Sequence, residues 1–115
     1  MKKLLFLICA FTVIVVQAQS ILDPEVLWRI SKVSDPKLSP DGTTAVYSIR
    51  NVDWKASKGN TDLWLVDVAS GKSRILTGDS SNESSPRWSA DGKLIYFLND
   101  AGGTSQLWSI ATDGS

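Results

Sequence analysis

Beyond residue 35 the hydrophobic residues come in short runs that are bounded by glycine, aspartate, serine and proline. Short apolar runs separated by such turn residues are typical of β-strands rather than of helices. Residues 44–49 and 94–98 form two of these runs, and each follows an Asp-Gly pair. Glycine adopts the positive φ of a tight turn at little cost, so each pair predicts a turn into a strand. The pattern therefore predicts an all-β structure for this part of the chain.

The apolar runs repeat along the chain. Segment 37–42 (KLSPDG) matches segment 87–92 (RWSADG) at a spacing of 50 residues. A Leu-Trp strand follows in each copy, at 62–66 (DLWLV) and at 106–110 (QLWSI), now at a spacing of 44 residues. The difference falls in the loop before the Leu-Trp strand, which is longer in the first copy. Variation in loop length between repeated strands is what a repeat architecture predicts.

The number of strands in each copy predicts the fold. The first copy continues through a turn at 68–72 into a fourth short strand at 73–77, whereas the second copy reaches only the equivalent turn at 112–115. Four antiparallel strands per repeat of about 40–50 residues are the signature of a β-propeller blade. We therefore predict an incomplete β-propeller with one full four-stranded blade and most of a second. A β-sandwich is the alternative, but it does not need the repeated motifs. The run 95–98 (IYFL) also favours a propeller, because a strand between two blades is covered on both faces.

The N-terminal residues show a different pattern. Two lysines precede an almost unbroken apolar run at 4–16, and 16–18 (VQA) places small residues where a signal peptidase cleaves. We expect residues 1–18 to be a signal peptide that is cleaved after Ala18. A retained membrane anchor is the alternative, but a helix of this length spans only about 20 Å of a hydrocarbon core of about 30 Å. Cys9 lacks the small preceding residue that a lipid-attachment site would have.

A short lead-in helix is predicted for the segment 19–34, before the propeller part at 35–115. Asp23 can cap the helix, and Pro24 suits its first position. Three apolar residues recur at i, i+4 and i+7 on one helical face: Val26, Ile30 and Val33. Pro36 ends the helix, because the residue before a proline is disfavoured in the α conformation.

The charged residues are balanced and scattered. Without the two lysines of the signal peptide, the chain keeps ten basic and twelve acidic residues. Nucleic acids and anionic membranes bind concentrated basic patches, so we expect no nucleic-acid partner. We also expect no stable membrane insertion after signal cleavage. The mature chain would have no cysteine, which excludes a disulfide and a thiolate metal site.

The sequence contains few of the residue types and motifs that catalytic or metal-binding sites use. The chain contains no histidine, which excludes Ser-His-Asp and Cys-His catalysis and the common imidazole zinc sites. Segment 71–73 (GKS) resembles the end of a phosphate-binding loop, but Val66 stands where that motif needs a glycine. Several turn residues could suggest calcium, but their spacing matches no calcium loop: Asp35, Asp41, Asp91, Asn99 and Asp100. We therefore predict no catalytic, cofactor-binding or metal-binding residue, and no cofactor, in this chain.

Five tryptophans raise the question of carbohydrate stacking. Trp64, Trp88 and Trp108 lie at repeated strand positions and are expected to pack within the blades. Trp28 in the lead-in helix and Trp54 in the long loop are the aromatic residues that could serve a binding surface.

Two sets of residues carry a resemblance to known families. The repeats resemble the TolB-type, WD-like β-propeller repeat through residues 39–42 (SPDG), 63–67 (LWLVD) and 75–77 (ILT). The opening segments 22–27 (LDPEVL) and 33–42 (VSDPKLSPDG) are similar to the start of secreted bacterial serine peptidases of the prolyl oligopeptidase family. The branch of acylaminoacyl-peptidases and dipeptidyl-peptidases fits best.

This resemblance implies a function for a longer protein. In that family an N-terminal propeller precedes a C-terminal α/β-hydrolase domain with the catalytic serine, aspartate and histidine. The chain would then be the propeller portion of an exported, periplasmic or secreted bacterial peptidase. The propeller would gate the access of peptide substrates, and the hydrolase domain would be absent from this chain. A periplasmic TolB-like propeller that binds protein partners without catalysis is the alternative.

Overall fold

The computed structural model describes Leu27 and residues 29–115, which form two antiparallel β-sheets. Within each sheet the strands follow their order along the chain. The first sheet contains β1 (Lys32–Leu38), β2 (Thr44–Asp53), β3 (Lys58–Asp67) and β4 (Ser73–Ile75), and the second contains β5 (Glu83–Trp88), β6 (Leu94–Asn99) and β7 (Gln106–Ala111). The prediction of a four-stranded unit followed by three strands of a second is confirmed.

Strand β1 begins earlier than predicted. Lys32 and Val33 pair with Arg50 and Ile49 of β2, so the helix predicted for segment 19–34 is wrong at its C-terminal end. The local pattern suits a helix, but pairing with β2 satisfies the backbone N–H and C=O groups, and this tertiary contact overrides a weak local preference. The signal peptide and the first part of the predicted helix lie outside the described residues.

Strand β4 is shorter than the predicted strand 73–77 and ends at Ile75. The next two residues still contact β3, because the N–H groups of Leu76 and Thr77 both donate to the carbonyl of Leu63, at 2.8 and 3.3 Å. The chain therefore leaves the regular ladder while it remains attached to the first sheet.

Each sheet starts with a strand that is interrupted just before a proline. In β1 the register shifts between Ser34 and Lys37, and Asp35 adopts a φ of 53°. The same irregularity occurs in β5, where Ser85 has a φ of 54°. Positive φ is uncommon for residues other than glycine. Since Ser85 follows Asp35 at the spacing of 50 residues, the shared bulge extends the repeat towards the N-terminus.

The two sheets pack face to face through one apolar core. Its buried members come from both sheets: Val46, Leu63, Leu65, Leu76, Ile95 and Phe97. On the opposite face of the second sheet, Tyr96 and Leu107 are 40% and 72% exposed. Their counterparts in the first copy, Val46 and Leu63, are fully buried. Coverage of 95–98 on both faces was predicted, but in the described part of the chain one face is covered.

The Asp-Gly turns give a test of the fold. Gly42 has a φ of 74°, and a Cβ added there would meet nothing within 4 Å. We expect Gly42→Ala to lower the free energy of unfolding by about 1–2 kcal/mol, because an L-residue is disfavoured in the left-handed region. Gly102→Ala is the matched control, since its Cβ also meets nothing and its φ is not positive. Urea unfolding of the purified proteins measures both, and equal losses would contradict the explanation.

Candidate functional site

The two Asp-Gly loops close by the same hydrogen bonds. The carboxylate of Asp41 accepts from the hydroxyl of Ser39 at 2.6 Å and from the N–H of Thr43 at 3.0 Å. The hydroxyl oxygen of Ser39 accepts from the N–H of Thr44 at 3.0 Å. The loop around Asp91 repeats all three bonds at the equivalent positions. The Ser-x-Asp-Gly motif is therefore a device that closes the turn between the first two strands of each sheet.

Hydrogen bonds keep both loop carboxylates ionised. The hydroxyl of Ser39, followed by the N–H and hydroxyl of Thr43, lowers the pKa of Asp41 to about 2. The hydroxyl of Ser89 is the largest cause that lowers the pKa of Asp91. A general acid or base works best when its pKa lies near the operating pH. At neutral pH these two carboxylates are therefore suited to holding the loops rather than to transferring protons.

A cleft of about 870 Å³ lies between the two loops, where the sheets meet. Asp67 and Lys72 line it from the first sheet. The guanidinium of Arg74 reaches the second sheet and donates to the backbone carbonyl of Thr112. The serine hydroxyls in the lining have no imidazole to activate them, because the chain contains no histidine. The lining of the cleft can bind polar or charged groups.

Strand β5 connects the two sheets, since it contacts β1, β2 and β3 of the first sheet. At one end the indole Nε1 of Trp88 donates to the backbone carbonyl of Lys37 at 2.9 Å. At the other end the hydroxyl of Thr77 donates to Oε2 of Glu83 at 2.8 Å. We refer to β5 with these two contacts as the seam. It fixes the position of the second sheet against the first.

The hairpin formed by β2 and β3 projects beyond its counterpart in the second sheet. It is paired over ten residue pairs, whereas β6 and β7 are paired over six. Trp54 lies in its turn and is 44% exposed, with the ammonium of Lys55 at 5.6 Å from the ring centroid. Trp54 is therefore partly exposed, Trp28 lies outside the described residues, and a binding role for either stays a prediction. Trp108, expected to pack within the blades, is 47% exposed.

Two of the turn residues considered as calcium ligands, Asn99 and Asp100, take part in other contacts. Asn99 is buried, and its amide donates to Ser81 and Glu83 at 2.9 and 3.0 Å. The carboxylate of Asp100 accepts from the backbone and side-chain amides of Asn82 at 2.7 and 2.9 Å. Within the described residues no group of His, Cys, Asp or Glu is placed to hold a metal ion. The expectation that this chain carries no catalytic, cofactor or metal residue stays a prediction.

Glu83 is fully buried at the seam, and no sequence motif points to it. Its neighbours, SSNESS, are polar and indicate a loop. The repeat spacing could have located it, because Glu83 follows Val33 by 50 residues and so begins the first strand of the second copy. Its burial could not be foreseen, since the first sheet provides it.

Several curated peptidases align with this chain. Dipeptidyl-peptidase 5 of Porphyromonas gingivalis is 42% identical over 86 residues, which are 75% of the chain and 13% of that protein. Dipeptidyl-peptidase 5 of Porphyromonas endodontalis is 34% identical over 84% of the chain and 14% of that protein. Peptidase YuxL of Bacillus subtilis is 33% identical over 74% of the chain and 13% of its own length. The chain is a relative of these peptidases. It spans about 13–14% of their length, and no family model matches it.

Solved structures share the two-sheet arrangement. A TolB-like protein of Agrobacterium tumefaciens superposes with a TM-score of 0.58 and 29% identity, over 75% of the chain and 28% of that structure. The acylaminoacyl peptidase of Pyrococcus horikoshii gives a TM-score of 0.65 and 22% identity, over 78% of the chain and 14% of that structure. The β-propeller domain of the trilobed protease from Pyrococcus furiosus gives a TM-score of 0.57 and 22% identity, over 74% of the chain and 25% of that structure. The predicted incomplete propeller and its resemblance to propeller-bearing peptidases are confirmed.

The lowered pKa of Asp41 predicts a pH dependence. The folded state binds its proton less tightly than the ordinary carboxyl, whose pKa is 3.8. Its ionised form therefore stabilises the fold above that value, and the contribution disappears as the pH falls towards about 2. We expect Asp41→Asn to lower the urea midpoint at neutral pH and to approach the wild-type midpoint in acid. Asp91→Asn should follow the same trend, and a difference that does not change with pH would count against this role.

Proposed function

We propose that this chain is the N-terminal propeller portion of an exported serine peptidase that cleaves peptides or oligopeptides. The proposal rests on the 42% identity with dipeptidyl-peptidase 5 of Porphyromonas gingivalis over 75% of the chain. The name of that relative points to a peptidase that releases dipeptides. The catalytic serine, aspartate and histidine belong to an α/β-hydrolase domain outside these residues, in keeping with the lack of histidine here.

The way the sheets pack supports the proposal of a gating role. Tyr96 and Leu107 are exposed on the second sheet, and their counterparts Val46 and Leu63 are covered by that sheet. A third sheet of the same kind would cover Tyr96 and Leu107 in the same way. Continued repetition closes a ring of blades around a central channel. Such a channel admits extended peptides and excludes folded proteins, which supports a role in selecting substrates by size.

The first test is catalytic. The purified product of the complete gene should hydrolyse dipeptidyl arylamides and short peptides but not folded proteins, and a serine-reactive phosphonate should abolish the hydrolysis. Segment 19–115, purified alone, is the matched control and should show no turnover because it contains no histidine. Hydrolysis by this segment, or failure of the complete product to react with the phosphonate, would overturn the proposal.

A TolB-like propeller that binds protein partners without catalysis is the second candidate. The 29% identity with the TolB-like protein of Agrobacterium tumefaciens favours it. In that case the complete gene product would retain a defined envelope protein in a pull-down and would leave dipeptidyl arylamides intact.

We further propose that residues 1–18 direct export to the periplasm or the medium and are then removed. The order of two lysines, an apolar run and a small-residue cleavage site supports this. Within the described residues, no helix has the length and apolar character needed to cross a membrane.

Export gives a direct prediction. N-terminal sequencing of the protein recovered outside the cytoplasm should begin at Gln19, and Ala18→Asp should prevent cleavage because a signal peptidase needs a small residue there. Recovery of a protein that still begins at Met1 would be evidence against the signal peptide.

A further inference from the structure

A buried polar cluster lies at one end of the seam. Glu83 is fully buried, and its carboxyl oxygens contact three uncharged groups. The hydroxyl of Thr77 lies 2.8 Å from Oε2, and the hydroxyl of Ser81 lies 2.8 Å from Oε1. The amide Nδ2 of Asn99 lies 3.0 Å from Oε1. A buried carboxylate is costly when it is hydrogen-bonded only to neutral groups.

The number of available hydrogens indicates where a proton lies. The Ser81 hydroxyl has one hydrogen, but its oxygen contacts carboxyl oxygens of both Asp79 and Glu83. It also accepts from Asn99 at 2.9 Å. If the hydroxyl donates to Asp79, the contact with Glu83 needs a hydrogen from Glu83 itself. With Glu83 protonated, all three contacts of Ser81 are satisfied. The Ser81 hydroxyl then donates to Asp79 and accepts from Glu83 and from Asn99.

The neighbouring charges favour the same assignment. Burial raises the pKa of Glu83, and the negative charges of Asp79 and Asp62 raise it further. Asp79 behaves in the opposite way, because the Ser81 hydroxyl and N–H lower its pKa. Asp62 lies on β3, and its buried Oδ1 lacks a hydrogen-bond partner. The acidic groups that act on Glu83 thus repel its ionised form, and acceptors outnumber donors around it.

We propose that Glu83 is protonated when the two sheets are tightly packed, and that the seam loosens when Glu83 ionises. The link to the seam is direct. The hydroxyl of Thr77 contacts Glu83 and also accepts from the N–H of Leu63 in β3, at 2.9 Å. Ionisation of Glu83 removes the hydrogen that it donates to Ser81 and sets its charge against that of Asp62 on β3, so the repulsion acts between the two sheets. The result is a pH-sensitive joint between the first two blades, which is tightest in mild acid.

The sign of the effect follows from proton linkage. The folded chain binds the Glu83 proton more tightly than the unfolded chain, where the ordinary pKa is 4.5. This contribution to stability is complete below that value and is lost as the pH rises through the folded pKa. The loop carboxylates such as Asp41 contribute in the opposite direction. The test must therefore compare variants at each pH rather than rely on the wild-type profile alone.

Hydrogen exchange in the product of the complete gene tests the proposal. The amide of Leu63 reports on the joint, because it is bonded to Thr77. Between about pH 5 and pH 8 its protection, corrected for intrinsic exchange, should fall several-fold in the wild type. In Glu83→Gln it should stay constant within about twofold, because the glutamine amide can donate to Ser81 as the protonated acid does.

Two further variants complete the test. Asp62→Asn removes one repelling charge, so the fall in protection should move to lower pH. Asp53 lies at the exposed hairpin turn, so Asp53→Asn should show the same fall in protection as the wild type. The proposal would be overturned if protection of the Leu63 amide fell equally in Glu83→Gln and in the wild type, or if it did not fall in the wild type. If Glu83→Gln does not fold, Asp62→Asn still decides. The proposal is refuted if the pH at which protection falls does not change in Asp62→Asn, or if it moves to a higher value.

Discussion

The packing of β5 against the first sheet is the contact on which the rest of this structure depends. Each sheet has three or four strands and one apolar face, and such a sheet needs a second layer to bury that face. The apolar core supplies the driving force but little directionality. The polar contacts of Trp88 and Glu83, at opposite ends of β5, fix how one sheet lies on the other. The cleft between the Asp-Gly loops takes its shape from that alignment.

The two ends of the seam differ in chemistry. Near Trp88 the cleft is open and contains ionised carboxylates together with Lys72 and Arg74. Near Glu83 the groups are buried, and acceptors exceed donors. Hydrogen bonds lower the pKa of Asp41 and Asp91, so the open end loses stability as the pH falls. Burial raises the pKa of Glu83, so the buried end loses stability as the pH rises. The two ends of the seam therefore respond to pH in opposite directions.

The described side chains serve the fold of the propeller, and this agrees with the similarity to a small part of longer peptidases. The loop carboxylates Asp41 and Asp91, which recur in the two sheets, hold turns, and without a histidine this chain cannot form a Ser-His-Asp triad. What this segment can contribute to a longer protein is shape: a pair of stacked blades, an exposed apolar face where further blades can pack, and a projecting hairpin.

The repeats made the architecture predictable from the sequence alone. The Asp-Gly turns, the Leu-Trp strands and their spacing are local features, so they specified the strands and their number in each blade. The start of β1 was missed, because Lys32 and Val33 are extended by pairing with β2 rather than by their own pattern. Burial of Glu83 and the contact of Thr77 with both sheets were decided by the tertiary structure. They depend on groups distant in sequence, and no local pattern records which polar residue a second sheet will cover.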